Sequence, residues 1–490
     1  MIRRFFSQKK PGKLSLRDIN QNLVHAEYAV RGAIPTMASQ IEEDIKYGRK
    51  KYPFDHIVQA NIGNPQQLNQ KPLTWYRQVL SILQYPKLLE VPNVFPSDTL
   101  ERAKNLMADM KSIGAYSMSQ GSHIVRESIA SYIAKRDGCQ SDPRNIILTN
   151  GASSAVGNLF QLLSGDLKSG FLIPIPQYPL YTATITLNSG KAIGYYLQEE
   201  DEWAINTEEI RNHIESNIKE GISIKALVVI NPGNPTGSVL SRENIVKLIE
   251  IAARYGIVLV ADEVYQVNIF KGEFISFKKV LSELQDEFPG IYDHVQLASL
   301  HSTSKGVSGE CGQRGGYMEL VGFEEEVKEA LLKISSIDLC SVVGGQALVE
   351  LMVNPPKPGD PSYDLFLKET TEIHNTLSSR SQTLFNAFEN MEDISCNQPH
   401  ASMYLFPRLN FKESEYPELY EKAAQSNSSI DTIYCMELLQ NTGICCVPGS
   451  GFGQVPGTSH LRTTFLAPGK EWIFRWDKYH KEFVNRYKKH

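Results

Sequence analysis

Short apolar runs alternate with longer amphipathic stretches through the middle of the chain. The longer stretches repeat apolar residues every three or four positions, as a helix with one buried face does, and the short runs have the composition of buried strands. This alternation predicts an α/β fold in which a mainly parallel sheet lies between layers of helices. Five runs are predicted as strands, at residues 145–149, 170–175, 226–230, 257–261 and 295–300.

One predicted helix lies between the third and fourth of these strands. Ser241 can cap its first turn, apolar residues recur at helical spacing over 245–253, and Gly256 can end it. A strand, a helix and a further strand in this order predict a βαβ unit, which makes the two strands parallel.

The domain organisation is predicted from composition. Residues 352–364 are rich in proline and glycine and indicate a break after the central unit. We expect a basic tail over 1–17, then an N-terminal arm with part of a small domain over 18–105. A large domain follows over 106–350, and 351–490 form the C-terminal part of the small domain.

Composition narrows the possible partners. The 490 residues are 41% hydrophobic and 21% charged, which is ordinary for a globular protein. A net charge of −5 gives no reason to expect nucleic acid or an anionic membrane as partner, and no run of 18 apolar residues predicts a membrane span. The seven cysteines contain no C-x-x-C pair, so neither a zinc site nor a disulfide framework is predicted.

The first seventeen residues carry six basic side chains and no acidic one. They lack the apolar core of a secretory signal, so we expect a chain that is not exported. A mitochondrial targeting segment and a solvated basic tail both fit this composition. The sequence therefore predicts an intracellular location, either cytoplasmic or mitochondrial.

Candidate binding residues follow the predicted strands. Ligands of doubly wound sheets bind beyond the carboxyl ends of the strands. A helix predicted to begin near Ala152 and Ser153 offers backbone N–H groups to an anion. Each of the next three predicted strands is followed by a polar or aromatic side chain: Tyr178 between two prolines, Asn234 in NPGNPTG, and Asp262 with Tyr265.

The last predicted strand leads into HSTSKGVSGECGQRGG, which begins at residue 301. Lys305 lies there among small residues, with Ser302 and Arg314 as donors of the kind that bind phosphate. A lysine amine in such a place can attack a carbonyl carbon. Taken together, the strand ends describe a flat ligand with a phosphate, a protonatable ring nitrogen and an aldehyde, which is pyridoxal 5′-phosphate.

Several strings of the sequence resemble one family closely. NPGNPTG, ADEVY and STSKG resemble the fold-type-I pyridoxal-phosphate aminotransferases, and further strings resemble the alanine aminotransferases among them. These are AEYAVRGAIP, ANIGNPQQLNQKPLT, IPIPQYPLY, GECGQRGGYME, CCVPGSGFGQ and LRTTFLAPG. The resemblance runs from about residue 18 to the C-terminus. It implies a large domain with a seven-stranded type of sheet and a smaller α+β domain built from both ends of the chain.

The resemblance also implies how the cofactor is held. Lys305 attaches covalently to the cofactor and later moves the substrate α-proton, and Asp262 pairs with the ring nitrogen. The remaining cofactor contacts involve the phenolic oxygen, the ring face and the phosphate, and they are implied for Tyr265, Asn234, Tyr178, Ala152, Ser153, Ser302 and Arg314.

Further implications concern the substrate and the assembly. Arg462 binds the substrate α-carboxylate, helped by the backbone near Gly63 and by Asn234. Tyr116 reaches the phosphate of a neighbouring subunit, which implies a homodimer with shared sites. The implied reaction is transamination of L-alanine with 2-oxoglutarate by a ping-pong mechanism.

Some positions differ from the pattern expected of the family. They are Met118, His123, Ile124, Ala401 and Ser402. We expect them to affect rate and substrate preference more than cofactor binding. A homologue with another preferred amino donor, or a binding protein that keeps the fold with little activity, therefore remains an alternative.

A different enzyme class is suggested by the string at residues 302–305. It fits S-x-x-K, the nucleophile motif of penicillin-binding serine enzymes. That motif needs its serine and lysine one helical turn apart, and the residues around Ser302 and Lys305 favour a strand and a turn instead.

Overall fold

The computed structural model of the chain describes residues 14–26, 28 and 32–489. Most of the basic N-terminal segment, residues 1–13, lies outside the described residues. Within the described part of the chain, no helix combines the length and the apolar character needed to cross a membrane.

Strands make up one large sheet and several small ones. The large sheet contains β2 (Ile146–Thr149), β3 (Ser169–Ile175), β4 (Lys191–Gln198), β5 (Ala204–Ile205), β6 (Ser223–Ile230), β7 (Val258–Asp262), β8 (Leu297–Ser302) and β9 (Gly316–Val321). The small sheets contain β1 (Val58–Gln59), β10 (Ile394–Ser395), β11 (Tyr404–Leu405), β12 (Arg408–Leu409), β13 (Ile444–Cys445), β14 (Val447–Pro448) and β15 (Leu461–Thr464).

The large sheet is ordered β2-β9-β8-β7-β6-β3-β4-β5. Neighbours from β8 through β4 are parallel, whereas β9 runs antiparallel to both β8 and β2. The carboxyl ends of the parallel strands therefore meet the amino end of β9 at one edge. All five predicted strands are present, with ends shifted by a few residues. The sheet has eight strands instead of the seven expected, because the two-residue β5 pairs with β4.

Sixteen helices lie in the described residues. The first eight are α1 (Gln21–His25), α2 (Ala33–Lys46), α3 (Thr74–Gln84), α4 (Ser97–Met110), α5 (His123–Asp137), α6 (Ala152–Leu163), α7 (Leu180–Leu187) and α8 (Thr207–Lys219). The rest are α9 (Arg242–Tyr255), α10 (Phe277–Glu287), α11 (Glu325–Ile337), α12 (Val343–Val353), α13 (Tyr363–Glu389), α14 (Pro417–Ser426), α15 (Ile430–Thr442) and α16 (Glu471–Tyr487).

The predicted helix between β6 and β7 is α9, and its end signals act as expected. The Ser241 hydroxyl accepts a hydrogen bond of 3.2 Å from the backbone N–H of Asn244, and Gly256 ends the helix at φ 63°. The left-handed conformation of Gly256 costs a residue with a side chain more than it costs glycine. The apolar face of α9 packs with α8 and α10 on one side of the large sheet.

The two faces of the sheet carry separate apolar layers. Side chains of α8, α9 and α10 cover one face, while α6, α7 and α11 cover the other. Helices α3, α4, α5 and α12 form a further core beside β2. This double cover explains why the central strands are almost continuously apolar.

Elements from both ends of the chain share another core. Ile34 and Ala38 of α2 pack in the same apolar cluster as residues of α15 and α16, such as Leu438 and Trp476. The N-terminal β1 also pairs in parallel with the C-terminal β13. The domain boundaries at residues 105 and 350 remain a prediction.

Candidate active site

A cavity of about 250 Å³ lies at the carboxyl edge of the large sheet, against the C-terminal strands β11 and β15. Eleven of the twelve predicted site residues line it: Gly63, Ala152, Ser153, Tyr178, Asn234, Asp262, Tyr265, Ser302, Lys305, Arg314 and Arg462. Tyr116 does not, because its side chain lies on the surface with 77% exposed.

Sheet topology explains this convergence. Asp262 is the last residue of β7, and Ser302 is the last residue of the neighbouring strand β8. Lys305 follows β8 in a turn, and Arg314 precedes β9, which runs the opposite way and so starts at the same edge. Residues far apart in sequence therefore meet because their strands end side by side.

The carboxylate of Asp262 lies at the bottom of the cavity. Tyr181 donates a hydrogen bond of 2.6 Å to its Oδ2, while its Oδ1 has no partner among the described residues. Burial raises the pKa of Asp262, and the hydrogen bond from Tyr181 opposes that shift in part. A buried oxygen without a partner is costly, so this atom fits a protonated ring nitrogen placed in the cavity.

The amine of Lys305 points into the same cavity. Its Nζ donates a hydrogen bond of 2.8 Å to the backbone oxygen of Gly63. A methyl group built on Gly63 would overlap the hydroxyl of Tyr404 and lie 3.2 Å from Nζ. Only glycine at position 63 therefore leaves room for Lys305 and Tyr404 to approach the substrate space together.

Donors for an anion surround another part of the cavity. Helix α6 begins at Ala152 after Gly151, and no side chain caps its first turn, so the N–H groups of Ala152 and Ser153 are available to bind an anion. Arg314 is held beside it, since Nη2 donates to Asn150 O at 2.9 Å and Nη1 donates to Cys311 O at 2.9 Å. A methyl group on Gly151 would lie 2.6 Å from the Arg314 guanidinium.

Ser302 also lies at this end of the cavity. Its hydroxyl donates to Gly315 O at 3.1 Å and accepts from the backbone N–H of Ser304 at 3.1 Å. Ser302 ends a strand and Lys305 lies in the following turn, so the two side chains do not share a helical face. The S-x-x-K hypothesis for a serine enzyme therefore fails on geometry.

Arg462 projects from β15 and is 98% buried. Nη2 donates to Asn61 O at 2.7 Å and Nη1 donates to Asn234 Oδ1 at 3.2 Å, while Nε has no partner among the described residues. The guanidinium lies between two aromatic rings, 4.2 Å from the centroid of Tyr404 and 4.6 Å from that of Phe452. This arrangement fixes its plane and suits a bidentate bond to a carboxylate.

Hydroxyl and amide groups complete the walls. Asn234 Nδ2 donates to the Tyr265 hydroxyl at 3.4 Å, which places both groups beside the space above Asp262. The hydroxyls of Tyr178 and Tyr28 are 2.7 Å apart, and their rings meet edge to face. Tyr28 thus braces the aromatic ring that the sequence predicts as a stacking surface.

Sequence reasoning assigned no role to three residues that belong to the site. Tyr181 binds Asp262, Tyr404 lies against Arg462, and Cys311 lines the cavity between Gly63 and Arg314. Tyr181 and Cys311 occur within strings that carry the resemblance, whereas Tyr404 lies outside them. Their place follows from packing between distant segments, so the spacing within each string gave no signal for it.

The positions that depart from the family pattern lie outside the cavity lining. Met118 and His123 are exposed, and His123 lies 3.4 Å from Glu127 on the surface of α5. Ala401 and Ser402 are buried beside β11. None of these side chains therefore touches the space that the candidate groups surround.

The donor set fits pyridoxal 5′-phosphate. An unpartnered buried carboxylate oxygen of Asp262 suits the ring nitrogen, and the Lys305 amine suits the aldehyde. The α6 amides and Arg314 suit the phosphate. No group of three or more metal-binding side chains occurs in the described residues.

Comparisons with known proteins agree with this geometry. The sequence model of the family described as aminotransferase class I and II matches residues 88–471. The chain is 53% identical over 486 residues to the mitochondrial alanine aminotransferase of Saccharomyces cerevisiae, covering 97% of this chain and 81% of that protein. It is 51% identical over 490 residues to a protein of the same yeast named inactive alanine aminotransferase, covering 98% and 96%.

Solved structures share the fold. An alanine aminotransferase from Pyrococcus furiosus superposes with a TM-score of 0.74 at 24% identity, covering 95% of this chain and 100% of that one. The large sheet with its two helical layers is therefore the fold of these aminotransferases.

Proposed function

The chain belongs to the class I and II aminotransferase family, among the alanine aminotransferases, and we propose that it transfers the amino group of L-alanine to 2-oxoglutarate. The products are pyruvate and L-glutamate. One observation carries the proposal: Lys305, Asp262 and the buried Arg462 line one cavity, and Oδ1 of Asp262 has no partner among the residues that the structure describes. An amine, an acid and a carboxylate receptor are the groups that transamination of an amino acid requires.

Pyridoxal 5′-phosphate, when bound, supplies an aldehyde that takes up the amino group and a protonated ring that spreads negative charge from the substrate α-carbon. Asp262 keeps the ring nitrogen protonated, because its carboxylate is buried and needs a cationic partner. Tyr181 holds that carboxylate in place through the other oxygen. Asn234 and Tyr265 would hydrogen-bond the phenolic oxygen of the cofactor, and Tyr178 would pack on its ring.

The phosphate is held by groups that are already oriented. The free N–H groups at Ala152 and Ser153, the Arg314 guanidinium and the Ser302 hydroxyl meet at one end of the cavity. Each charge-assisted hydrogen bond there contributes about 1.5–3 kcal/mol. These groups would anchor the phosphate in the same cavity that Lys305 lines, which would keep the cofactor near the lysine amine.

Lys305 moves the proton. With cofactor and substrate bound, the Lys305 amine would be placed to take the substrate α-proton at Nζ and later to give a proton back. The Gly63 carbonyl, 2.8 Å from Nζ, orients the amine for this work. A positioned amine of this kind contributes roughly 10²–10⁴-fold to the rate.

Arg462 binds the α-carboxylate of the amino acid and of the oxo acid in turn. Its plane is fixed by Tyr404 and Phe452, so both carboxylate oxygens can accept in parallel. The amino acid and the oxo acid would compete for this one guanidinium, so they would occupy the site in turn. We therefore expect ping-pong kinetics, with parallel lines in double-reciprocal plots.

Two yeast relatives of nearly equal identity have opposite activities by name, one an alanine aminotransferase and the other inactive. The intact set of Lys305, Asp262 and Arg462 supports an active enzyme here. The test is a steady-state assay of the purified holoenzyme with a panel of amino acids and 2-oxoglutarate. Pyruvate formed with alanine above every other donor is the expected result.

Lys305→Ala is the matched control for that assay and should form no pyruvate. Bound cofactor without turnover of any donor would instead favour a binding protein that keeps the fold. Faster turnover of a different amino acid would identify another substrate and contradict the alanine assignment.

We also propose that two copies of the chain form a dimer with shared sites. Five exposed apolar side chains, named here the loop patch, lie on the loop before α5 and on the segment that joins the end of α11 to α12: Tyr116, Met118, Ile337, Leu339 and Val342. The loops touch where Ser119 Oγ donates to Leu339 O at 2.7 Å. The patch adjoins the anion end of the cavity, because Asn150 binds both Val342 N and Arg314.

An exposed apolar patch beside a binding site favours burial against a partner. A second copy would place Tyr116 near the phosphate end of its neighbour, which is the role that the family resemblance implies.

The cellular location is a further proposal. Relatives named mitochondrial support a mitochondrial location, with the cytoplasm as alternative. Imaging of a fluorescent fusion with and without residues 1–17 would test it.

A further inference from the structure

Glu199, just beyond the end of β4, is a junction between the large sheet and the C-terminal region. Its Oε2 accepts from Arg408 at 3.2 Å and lies 3.1 Å from His460 Nε2. Its backbone oxygen accepts from Asn397 Nδ2 at 2.7 Å. Three side chains of the C-terminal region thus bind one residue of the large sheet region.

His460 is fixed on all sides. It is 97% buried, and its Nδ1 lies 3.0 Å from Gln454 Oε1 while Nε2 faces Glu199. Its ring is parallel to that of Phe406, with centroids 4.8 Å apart and an interplanar angle of 1°. The imidazole therefore has one allowed orientation, set by a carboxylate, an amide and an aromatic face.

A chain of ring contacts connects His460 to Arg462. Phe406 meets Phe452 edge to face at 5.9 Å, and Phe452 lies 4.6 Å below the Arg462 guanidinium. The backbone makes a second connection, because His460 immediately precedes β15 and lies two residues before Arg462. Residues two apart in a strand point to the same face, and both side chains contact the Phe406–Phe452 pair.

We propose that Glu199 and His460 are positioning residues that set the orientation of the Arg462 guanidinium and thereby the affinity for the substrate carboxylate. This inference rests on the proposed function, in which Arg462 binds that carboxylate. Among the described residues, Arg462 donates two hydrogen bonds, to Asn61 O and Asn234 Oδ1, and neither holds Nε. Its plane therefore depends on the rings beside it and on what holds those rings.

Glu199→Gln keeps the volume of the side chain and removes its charge. We expect the dissociation constant of propionate and the KM for alanine to rise about tenfold, as expected for loss of a charge-assisted hydrogen bond. Propionate shares the carboxylate of alanine and lacks the amine, so calorimetry on the holoenzyme measures carboxylate binding without turnover. The kcat and the affinity for pyridoxal 5′-phosphate should stay near those of the wild type.

Glu200→Gln is the matched control. Glu200 also accepts from Arg408 at 3.2 Å, but it is 80% exposed and has no contact with His460. It should leave propionate binding unchanged. His460→Phe keeps the stack on Phe406 and loses both polar contacts, so it should weaken propionate as Glu199→Gln does. The double variant should bind propionate no more weakly than His460→Phe alone, because both changes break the same contact between Glu199 and His460.

Equal propionate binding in the wild type, Glu199→Gln and His460→Phe would overturn the inference. An equal loss of cofactor affinity and propionate affinity would overturn it too, since that marks general damage to the fold. A wild type that fails to bind propionate would show that Arg462 is not the carboxylate site. A wild type that binds propionate, loses it with Glu199→Gln and never turns over alanine would refute the proposed function and leave this inference standing.

Discussion

Tyr181 donates a hydrogen bond of 2.6 Å to Oδ2 of Asp262, and the other carboxylate oxygen faces the cavity without a partner among the described residues. Tyr181 comes from α7 and Asp262 from the end of β7, so 81 residues separate them in the sequence. The pair leaves one buried oxygen ready for a donor on the ligand. The apoprotein therefore holds an acid in a place that burial makes unfavourable for its charge.

Asp262→Asn should lower the catalytic rate without lowering the stability of the apoprotein. Burial raises the pKa of Asp262 in the apoprotein, so its contribution to stability is present at low pH and is lost as pH rises through the raised pKa. At neutral pH the apo variant should melt at the same temperature as the apo wild type or higher. Its kcat should fall roughly 10²-fold or more, because the ring nitrogen loses its counter-charge.

Calorimetry of the apoproteins and steady-state kinetics of the holoproteins check this pair of outcomes. The conservative control is Asp286→Asn on α10, which is outside the cavity lining. An apo variant that melts well below the wild type would contradict the argument from burial.

Lys305→Ala should abolish the reaction while leaving a folded protein. We expect kcat to fall by about 10⁴-fold or more, because the variant loses both the covalent attachment and the amine that moves the proton. Borohydride reduction followed by peptide mass spectrometry should find the cofactor adduct at residue 305 of the wild type and no adduct in the variant. An adduct on another lysine would refute the assignment.

Arg462→Lys should weaken substrate binding more than cofactor binding. A lysine keeps the positive charge but loses the planar fork that Tyr404 and Phe452 hold. We expect the KM for alanine to rise about 10–100-fold, since one or two charge-assisted hydrogen bonds are lost. Initial rates at several alanine concentrations measure the change.

Arg242→Lys is the control for that variant, because Arg242 forms an exposed ion pair with Glu283 far from β15. Its KM should equal that of the wild type. An Arg462→Lys enzyme with unchanged KM would remove Arg462 from the substrate site.

Glu263 should make stability depend on pH. It follows Asp262, is fully buried on the opposite face of the strand end, and accepts from the backbone N–H of Phe277 at 2.9 Å. Burial raises the pKa of Glu263 to about 8, although the nearby Arg136 opposes the shift. In the native state Glu263 therefore stays protonated at pH values above its ordinary pKa of 4.5. The native state gains stability from this proton, and the gain is lost as pH rises through about 8.

Glu263→Gln should remove that dependence. Between pH 5 and 9, the free energy of unfolding of the wild type should fall relative to the variant by on the order of 4 kcal/mol. Denaturant titrations at a series of pH values measure it. Parallel pH profiles for both proteins would show that Glu263 does not keep its proton, and Glu283→Gln on the surface serves as control.

The dimer proposal predicts that a charge introduced into the loop patch converts the dimer into a monomer. Ile337→Asp puts a charge on the centre of the loop patch, where the side chain is 78% exposed. We expect the wild type to sediment as a dimer and the variant to shift to a monomer with reduced activity, because a buried unpaired charge is costly. Leu167→Asp, at another exposed leucine, should stay dimeric. A monomeric wild type would refute the proposal.

The central sheet could be predicted from the sequence, and the small sheets could not. Strands such as β6 and β7 are apolar because helices bury both of their faces, so their composition alone identified them. The two-residue strands β11 and β14 carry no pattern, since their pairing with β15 is decided by contacts between distant segments. Five of the eight strands of the large sheet were predicted, and β4, β5 and β9 were not among them.

Some residues of the site could also be selected from the sequence, and others could not. Asp262, Asn234 and Lys305 follow predicted strands, so a general rule about strand ends was enough to select them. Arg462 was selected only through the resemblance. Tyr181, Tyr404 and Cys311 received no role, because each becomes part of the site through a neighbour far away in the chain.

The sequence by itself determined five strands of the central sheet, the helix between two of them, the chemical groups at the strand ends and the cofactor that those groups suit. It could do so because local periodicity and residue type decide these features. Only the tertiary structure decided which groups share the cavity, that Asp262 keeps one oxygen free, and that Glu199 and His460 reach Arg462 through a pair of phenylalanines. Those relationships arise from packing between distant segments, which no short window of sequence contains.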